Sequence, residues 1–485
     1  MTTVLAIDQG TSGTKALVVA PDGAAIGVAE RSLHPRYAGR AVEQDPLALL
    51  ESVVDAGREA VARAGVAPDI VTLANQGETV LAWDPESGTP LTDLVVWQDR
   101  RAEALCEELG EYSETISSRT GLVLDPYFSA PKQAWIRRNL TTEGVVTTSD
   151  AWLLHRLTGA FVTDVSTASR SLVTDLENAS WDAELLEVFG LGDEPLPRIV
   201  DCDEVVGHTD VFGRRVPVGG LVVDQQAALL AESCLLPGEA KCTFGTGAFL
   251  LAQAGTEPVR SSTGLSTSIA WTARGATAYC FDGQVYTAAS AIRWMQQLGF
   301  IASAAELDTV AASDHGGVFA VPALAGLGAP WWRPDATGVL AGMSLSTDVG
   351  HIVLAVLQGI AAQVAELAEA VVDDTGVPLR RLRVDGGLTQ SAVLMQAVAD
   401  LLQTPVDVYP SQHATPLGAA ALARCAADRS LGLAESIIPW QPARVFEPRW
   451  TASRAEEFRT RWRTVADTAT RASGPFTTPS SYTQD

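Results

Sequence analysis

Asp224 is the carboxylate in this chain with the clearest potential for chemistry. The apolar run from Leu221 to Val223 ends at this aspartate, and a second apolar segment follows Gln225 and Gln226. This pattern predicts a strand that ends at Asp224 and a helix that begins after it. Aspartate favours helix N-caps, so a capping role is one interpretation. The other is a carboxylate at the mouth of a cleft, where it accepts the proton of an attacking hydroxyl. The two roles are compatible.

Two turns rich in glycine and threonine have the composition of phosphate-binding loops. The first covers residues 8–15, Asp-Gln-Gly-Thr-Ser-Gly-Thr-Lys, and the second is Gly245-Thr246-Gly247. Glycine lets backbone N–H groups approach a phosphate closely, hydroxyl groups add donors, and Lys15 supplies a counter-charge. Neither turn matches a P-loop or a dinucleotide-binding motif. One such turn is typical of an ordinary hairpin, but two at the heads of similar segments predict a nucleotide shared between two domains.

Polar and aromatic residues are interspersed between positions 75 and 135 in a way that suits a polyol pocket. The segments are Asn75–Thr79, Val96–Arg101 and Asp125–Phe128. Aromatic rings pack on C–H faces, while a carboxylate and side-chain amides hydrogen-bond to hydroxyl groups. The alternative for Trp97 and Tyr127 is an ordinary place in the core.

Two further glycine-rich segments lie in the second half of the chain. They are Gly326-Leu327-Gly328-Ala329-Pro330 and Asp385-Gly386-Gly387, the second of which follows a predicted strand, Leu382–Val384. Because glycine permits close approach, these segments are candidates for a platform under a nucleotide. An ordinary turn between a strand and a helix is the alternative for the second.

The elements around these residues follow a plan that occurs twice. A strand, a Gly/Thr turn and a second strand begin at Val4 and again at Cys242, which indicates two related α/β domains. We place the domains at residues 1–236 and 237–445, followed by a C-terminal helix and polar tail over 446–485. Apolar periodicity also predicts helices over about 46–64, 285–298, 349–374, 389–402 and 416–427.

The composition narrows the class of protein. The chain has 485 residues, of which 47% are hydrophobic and 19% charged, so a large core can form. The net charge of −24 disfavours binding to nucleic acid. Six scattered cysteines without a CxxC pair predict reduced, packed thiols. No signal peptide or membrane-length apolar run is evident, so we expect a soluble cytoplasmic protein without a membrane partner.

These segments together resemble the FGGY carbohydrate kinases over about residues 4–445, and within that family the glycerol kinases. The resemblance is carried, in the family's order, by DQGTSGTK, NQGET, VVWQDRR, TGLVLDPYFS, DQQAAL, FGTGAFL, GLGAPWW and RVDGG. It implies an α/β fold of two actin-like, ribonuclease H-like domains with a central cleft. It further implies ATP-dependent phosphorylation, with Mg²⁺, of a primary hydroxyl of a small polyol or sugar, by a homo-oligomer that is a dimer or tetramer.

The resemblance also implies roles for individual residues. Asp224 matches the catalytic base, and Asp8 and Asp224 match acidic residues placed near the magnesium ion. The expected ATP-binding residues are Gly10, Thr11, Ser12, Lys15, Gly245, Thr246, Gly247, Gly326, Gly386, Gly387 and Ser391. The expected substrate-binding residues are Gln76, Gly77, Glu78, Trp97, Tyr127, Asp224, Gln225 and Tyr286. Tyr286 lies where the glycerol kinases usually have Phe, and Ser391 lies where they have Asn.

Gly77 is the main departure, because glycerol kinases read NQRET where this chain reads NQGET. Loss of the arginine removes charged donors and also removes bulk. Each hydrogen bond to a charged group contributes roughly 1.5–3 kcal/mol. We therefore expect a C4–C5 polyol such as a tetritol or pentitol, or a ketopentose, with glycerol as the alternative.

Functions of other classes remain open at this point. The same nucleotide core serves actin-like ATPases, and a non-catalytic sugar sensor could descend from a kinase. A nicotinamide dehydrogenase is disfavoured because no GxGxxG segment opens a helix.

Overall fold

Two seven-stranded sheets form the centre of the protein. The computed structural model describes residues 2–471, so the predicted polar tail, residues 473–485, lies outside the described residues. The first sheet has the order Val205–Thr209, Val216–Gly219, Ile70–Asn75, Val4–Gly10, Gly13–Val19, Ala25–Ser32, and Val222–Val223 also pairs with Ile70–Asn75. The second has the order Ser266–Ala273, Ala276–Val285, Ala248–Gly255, Glu239–Phe244, Arg381–Asp385, Val406–Val408, Arg444–Phe446.

Smaller sheets and the helices surround these two sheets. A five-stranded sheet contains Arg36–Ala38, Ala41–Gln44, Leu94–Val95, Val80–Trp83 and Val145–Thr148. The strand pairs are Val162–Asp164 with Arg198–Val200, Thr174–Asp175 with Ser180–Trp181, and Phe319–Val321 with Val339–Ala341. The α-helices are Pro46–Ala64, Glu103–Glu108, Ser113–Thr120, Ser129–Asn139, Ser149–Thr158, Val165–Ala168, Ala183–Phe189, Asp224–Ala231, Ala289–Gln297, Leu307–Val310, Val349–Thr375, Ala392–Leu402, Ala414–Ala427, Leu433–Ser436 and Ala452–Arg471.

The repeated plan in the sequence corresponds to a repeated pairing pattern. Strand Val4–Gly10 pairs antiparallel with its successor, Gly13–Val19, and parallel with Ile70–Asn75. Strand Glu239–Phe244 likewise pairs antiparallel with its successor and parallel with Arg381–Asp385. The expectation of two related α/β domains is therefore confirmed at the level of sheet topology.

The first strand is apolar on both faces because helices cover both sides of its sheet. Leu5 and Ile7 belong to one core cluster, together with Leu49 and Val53 of helix Pro46–Ala64. Val4 and Ala6 belong to another, together with Ala420 and Ala423 of helix Ala414–Ala427. A parallel strand buried on both faces reads as a continuous apolar run, as Val4–Ile7 does. The core thus holds the end of this strand rigidly in place.

Helix Val349–Thr375 agrees with the helix predicted over 349–374. By length and composition it is apolar enough to cross a membrane, but 83% of its most apolar window is buried inside the protein. Such burial is what the core helix of a globular domain requires. All six cysteines are buried and unpaired, which confirms the expectation of packed thiols.

The two domains contact each other at two places. Helix Ala414–Ala427 of the second domain packs against the first sheet and helix Asp224–Ala231, and residues 165–205 of the first domain contact strands Ser266–Ala273 and Ala276–Val285 of the second. The amide of Ile269 donates to Ser169 Oγ at 3.1 Å, and the amide of Cys202 donates to the carbonyl of Thr272 at 2.8 Å. At the edge of this contact, Arg274 Nη1 lies 3.0 Å from Asp203 Oδ2. These contacts join the domains while a cleft separates the facing ends of their sheets.

Replacing Gly418 with alanine should destabilise the protein. A Cβ at this position would lie 1.8 Å from the carbonyl oxygen of Ala227, in the helix that begins at Asp224. Because the contact is with backbone, the two helices must separate, and overpacking of this kind costs about 1–3 kcal/mol. Urea denaturation would measure the free energy of unfolding. Gly110→Ala is the matched control, since no atom lies within 4 Å of its added Cβ. Equal stability of the two variants would contradict this account.

Candidate active site

The chemically interesting residues converge because they follow neighbouring parallel strands. In the first sheet Asp8 is in register with Ala74, and Val223 is in register with Asn75. Segment 76–78 and Asp224 therefore leave the same edge of the sheet at which Asp8 lies. In the second sheet Thr243 is in register with Asp385, so the turns that follow these two residues share one edge. Ligands bind at such carboxyl edges in open α/β sheets.

A cavity of about 600 Å³ lies between the two edges. Most of the predicted substrate and phosphate residues line it: Thr11, Ser12, Gln76, Glu78, Trp97, Tyr127, Asp224, Gln225, Gly245, Thr246, Gly247 and Tyr286. Three lining residues lie in the segments noted above without a role of their own: Arg100, Val223 and Phe249. Arg170, Asp282 and Arg293 also line the cavity and lie outside every segment that the sequence indicated. Both domains thus contribute side chains to one site.

Asp224 is the first residue of helix Asp224–Ala231, and Val223 takes the N-cap position. The capping interpretation is therefore wrong by one residue, because Asp224 has already entered the helix. Its Oδ1 accepts a hydrogen bond from the amide of Gln225 at 2.7 Å. Burial, together with the negative charges of Asp8 and Glu78, raises the pKa of Asp224 to about 7. The carboxyl group is poised to take up a proton near neutral pH.

Asp8 shares this environment. Burial is the main cause that raises the pKa of Asp8 to about 6, and Lys15 opposes the shift. Burial and the nearby negative charge destabilise the ionised form of both carboxyl groups. A cation bound between them would offset both effects. Within residues 2–471, no group of three or more His, Cys, Asp or Glu side chains could hold a metal ion. A cation here would need ligands from a bound phosphate chain or water.

The aromatic wall of the cavity contacts the first Gly/Thr turn. The rings of Trp97 and Tyr127 have centroids 5.5 Å apart and meet edge to face at 68°. The indole Nε1 of Trp97 donates to Thr11 Oγ1 at 2.8 Å. Phe249 of the second sheet approaches the same indole at 6.2 Å. Trp97 therefore contacts the first Gly/Thr turn and the opposite domain as well as the cavity.

Glu78 is held by a guanidinium group from a distant part of the chain. Arg170 Nε donates to Glu78 Oε1, and Arg170 Nη2 lies 2.8 Å from Asp282 Oδ2. Burial raises the pKa of Glu78, while the charges of Arg170 and Lys132 oppose the shift. Lys132 in turn donates to the carbonyls of Pro126 at 2.9 Å and Phe128 at 2.6 Å. The buried lysine thereby orders the loop that carries Tyr127.

Sequence reasoning missed Arg170 and Asp282. Arg170 follows a short helix, and its segment has no distinctive periodicity or spacing. Asp282 offered a signal, because it interrupts the run Tyr279-Cys280-Phe281 in a strand that is otherwise largely apolar. A charged residue in a buried strand requires a partner.

Gly77 does not line the cavity, although it lies between two residues that do. Its φ of +57° is in the left-handed region, and an added Cβ would stand 2.8 Å from Val223 Cγ2. Loss of a side chain at position 77 therefore does not simply enlarge the pocket, because Val223 takes part of the space. Position 77 still supplies no charged hydrogen-bond donor, whatever space Val223 occupies.

Several residues expected at the nucleotide lie outside the cavity wall. These are Gly10, Lys15, Gly326, Gly386, Gly387 and Ser391. Lys15 Nζ lies 3.0 Å from a carboxylate oxygen of Glu30, and Ser391 caps helix Ala392–Leu402 while donating to Asp308 Oδ1 at 2.5 Å. Gly386 is required by packing, since its Cβ would stand 2.4 Å from the carbonyl of Phe244. Gly387 faces open space. Their nucleotide contacts stay predictions.

Comparison with known proteins agrees with this architecture. The model of the FGGY family of carbohydrate kinases, N-terminal domain, matches residues 3–231, and that of the C-terminal domain matches residues 240–427. A glycerol kinase from Thermus brockianus is 40% identical over 96% of this chain and 98% of its own length. Glycerol kinase 2 from Thermotoga maritima is 38% identical over 95% of this chain and 97% of its own.

Solved structures show the same likeness. The crystal structure of Plasmodium falciparum glycerol kinase with ADP is 29% identical, with a TM-score of 0.89, and covers 97% of this chain and 98% of its own. Ligand-bound xylulose kinase from Lactobacillus acidophilus has a TM-score of 0.88 at 19% identity, covering 98% and 99%, so it supports the fold alone. The two family models, the extended identity and the shared architecture agree: this chain belongs to the FGGY family of carbohydrate kinases.

Proposed function

We propose that the protein transfers the γ-phosphoryl group of ATP to a primary hydroxyl of a small polyol or sugar. One observation carries this proposal: Asp224, the Glu78–Trp97–Tyr127 pocket and both Gly/Thr turns line a single cavity. An actin-like ATPase would have no need of the aromatic and carboxylate pocket. A non-catalytic sensor would have no need of a proton acceptor beside two phosphate turns.

In this reaction the substrate oxygen forms a bond to the γ-phosphorus while the bond to the β–γ bridging oxygen breaks and ADP leaves. Asp224 orients the reacting hydroxyl and accepts its proton. Because phosphoryl transfer proceeds through a loose transition state, positioning contributes more than basicity. Glu78, Gln76 and Gln225 offer hydrogen-bonding groups to the remaining hydroxyls, and Trp97, Tyr127 and Tyr286 cover the carbon chain.

The two turns suit the triphosphate. Thr11 and Ser12 of the first turn face Gly245, Thr246 and Gly247 of the second across the cavity. Backbone N–H groups and hydroxyls at these positions can stabilise charge on the moving phosphoryl group. Asp8 and Asp224 would hold Mg²⁺ together with phosphate oxygens and water, and the ion supplies charge neutralisation when it is bound.

The substrate that we propose is a C4–C5 polyol, such as a tetritol or pentitol, or a ketopentose. Position 77 carries no guanidinium group, so a charged contact to a terminal hydroxyl is missing there. Glycerol is the second candidate, and two observations favour it. Relatives of about 40% identity over nearly the whole chain are glycerol kinases. Arg170 also brings a different guanidinium group to the cavity wall. Homo-oligomerisation and a cytoplasmic location stay predictions.

Replacing Asp224 with asparagine should lower kcat by about 10²–10⁴-fold, because the amide cannot accept the hydroxyl proton. Asparagine has nearly the same shape, so the melting temperature should stay close to that of the wild type. ADP release in the presence of Mg²⁺ measures the rate. Turnover near the wild-type value would remove Asp224 from its role as base.

The wild type should release ADP faster with erythritol, threitol, ribitol or a ketopentose than with glycerol. The comparison is kcat/KM for each acceptor at saturating ATP and Mg²⁺. If glycerol is the best acceptor, another donor has replaced the missing arginine and the protein is a glycerol kinase. If no polyol or sugar stimulates ADP release, the proposed function is wrong.

Val223→Ala should shift the preference further towards longer acceptors. Val223 lines the cavity and occupies the space beside Gly77, so its truncation makes room for an additional CHOH unit. Discrimination by pocket size in this range reaches about 10-fold or more. The readout is the ratio of kcat/KM for ribitol to that for glycerol. Val222→Ala is the matched control, because Val222 packs in the core and does not line the cavity. An equal shift in both variants would contradict the assignment.

A further inference from the structure

We propose that Arg170 is a positioning residue that fixes the Glu78 carboxylate and ties it to Asp282 of the opposite domain, so that substrate recognition and the relative position of the two domains are coupled. The inference rests on the proposed function, because it concerns the same substrate pocket.

The three charged residues come from three separate parts of the fold. Glu78 lies in the loop after strand Ile70–Asn75, Arg170 follows helix Val165–Ala168, and Asp282 belongs to strand Ala276–Val285 of the second sheet. Each side chain is only 3–4% exposed. Arg170 therefore bridges the two domains at the wall of the cavity and not at the outer surface.

The geometry of arginine is essential to this arrangement. Its planar guanidinium group donates from Nε to Glu78, and its Nη2 forms an ion pair with Asp282 Oδ2 at 2.8 Å, so one rigid group sets the distance between two carboxylates. Gln284 Nε2 donates to the same Asp282 oxygen at 2.9 Å, which steadies that side of the bridge. A lysine ammonium has a single charged nitrogen and cannot span both partners in the same way.

Part of the bridge stays open to the cavity. Arg170 and Asp282 both line it, and Asp282 Oδ1 is buried with no hydrogen-bond partner among residues 2–471. A substrate hydroxyl can donate to this free oxygen of the second domain while Glu78 of the first domain binds another hydroxyl. Binding there would engage both domains at once.

Two features of Glu78 cost free energy, namely its left-handed backbone conformation and its buried charge, and Arg170 offsets the second. Its φ of +47° lies in the left-handed region, which is uncommon for a residue with a side chain. Its buried carboxylate must also stay ionised to accept hydrogen bonds from substrate hydroxyls. Arg170 compensates the charge and fixes the orientation, which is how it acts on the substrate through Glu78.

The test compares Arg170→Lys, Arg170→Ala and Asp282→Asn with the wild type. Asp203→Asn is the matched control, since it removes the charge from another ion pair between the domains, Arg274–Asp203, neither residue of which lines the cavity. Kinetics use whichever of glycerol, erythritol and ribitol gives the highest wild-type rate. Small-angle X-ray scattering without substrate gives the radius of gyration. Circular dichroism checks that each variant is folded.

We expect both Arg170 variants to raise the KM for the polyol about 10-fold or more, as loss of a charge-assisted hydrogen bond would, while the KM for ATP stays within about twofold. Lysine at position 170 should not restore the polyol KM, because one ammonium group cannot contact Glu78 and Asp282 in the same way as the guanidinium group. Asp282→Asn should raise the polyol KM less, since Glu78 keeps its partner, but should increase the radius of gyration. Asp203→Asn should leave the polyol KM unchanged.

Three results would overturn the inference. Wild-type kinetics in Arg170→Lys would show that a point charge is enough. An unchanged radius of gyration and polyol KM in Asp282→Asn would show that the bridge does not couple the domains. Equal effects of Asp282→Asn and Asp203→Asn would show that any broken contact between domains has the same consequence. A wild type that phosphorylates no polyol would refute the proposed function instead, and the scattering comparison would still test the bridge.

Discussion

The parallel register between strands Val4–Gly10 and Ile70–Asn75 is the constraint on which the active site depends. It aligns Asp8 with Ala74, and the adjoining pairing of Val223 with Asn75 brings Asp224 to the same edge. Side chains alternate along a strand, so a slip of one residue would turn Asp8 into the core and a buried apolar residue towards the cleft. Because Val4–Ile7 is apolar on both faces, the cost of burying the Asp8 carboxylate in the core is what opposes such a slip.

The second sheet repeats this arrangement, and the repetition has a chemical consequence. Each sheet presents a strand, a Gly/Thr turn and a second strand at its carboxyl edge, so two donor-rich turns face each other across one cavity. A triphosphate carries charge along its length, and two facing turns can neutralise it from both sides. In the proposed reaction the first domain supplies most of the polyol pocket, with the Glu78 loop and the aromatic wall, and Tyr286 and Asp282 complete it from the second.

The buried carboxyl groups of the site have raised pKa values, and burying them costs free energy. Asp8, Glu78 and Asp224 each have a raised pKa, principally because burial disfavours the charged form. Buried carboxylates are tolerated only where cations compensate them, and the chain supplies Arg170 and Lys132 for Glu78. Asp8 and Asp224 lack equally close partners of this kind, which is consistent with a site completed by a bound cation.

The sequence by itself determined the family, the two-domain plan and most of the cavity wall, because these follow from local motifs. A Gly/Thr turn between apolar runs, or an aspartate between a strand and a helix, keeps its chemical meaning wherever the chain places it. Tertiary structure alone decided that Arg170 reaches Glu78, that Asp282 completes the bridge, and that Val223 packs beside Gly77. The paired residues are 92 to 146 positions apart in the sequence, so their pairing depends on how the chain folds and the domains pack. The same holds for position 77, where the sequence departs most clearly from the glycerol kinase motif. The space beside Gly77 is set by Val223, which no local pattern identifies.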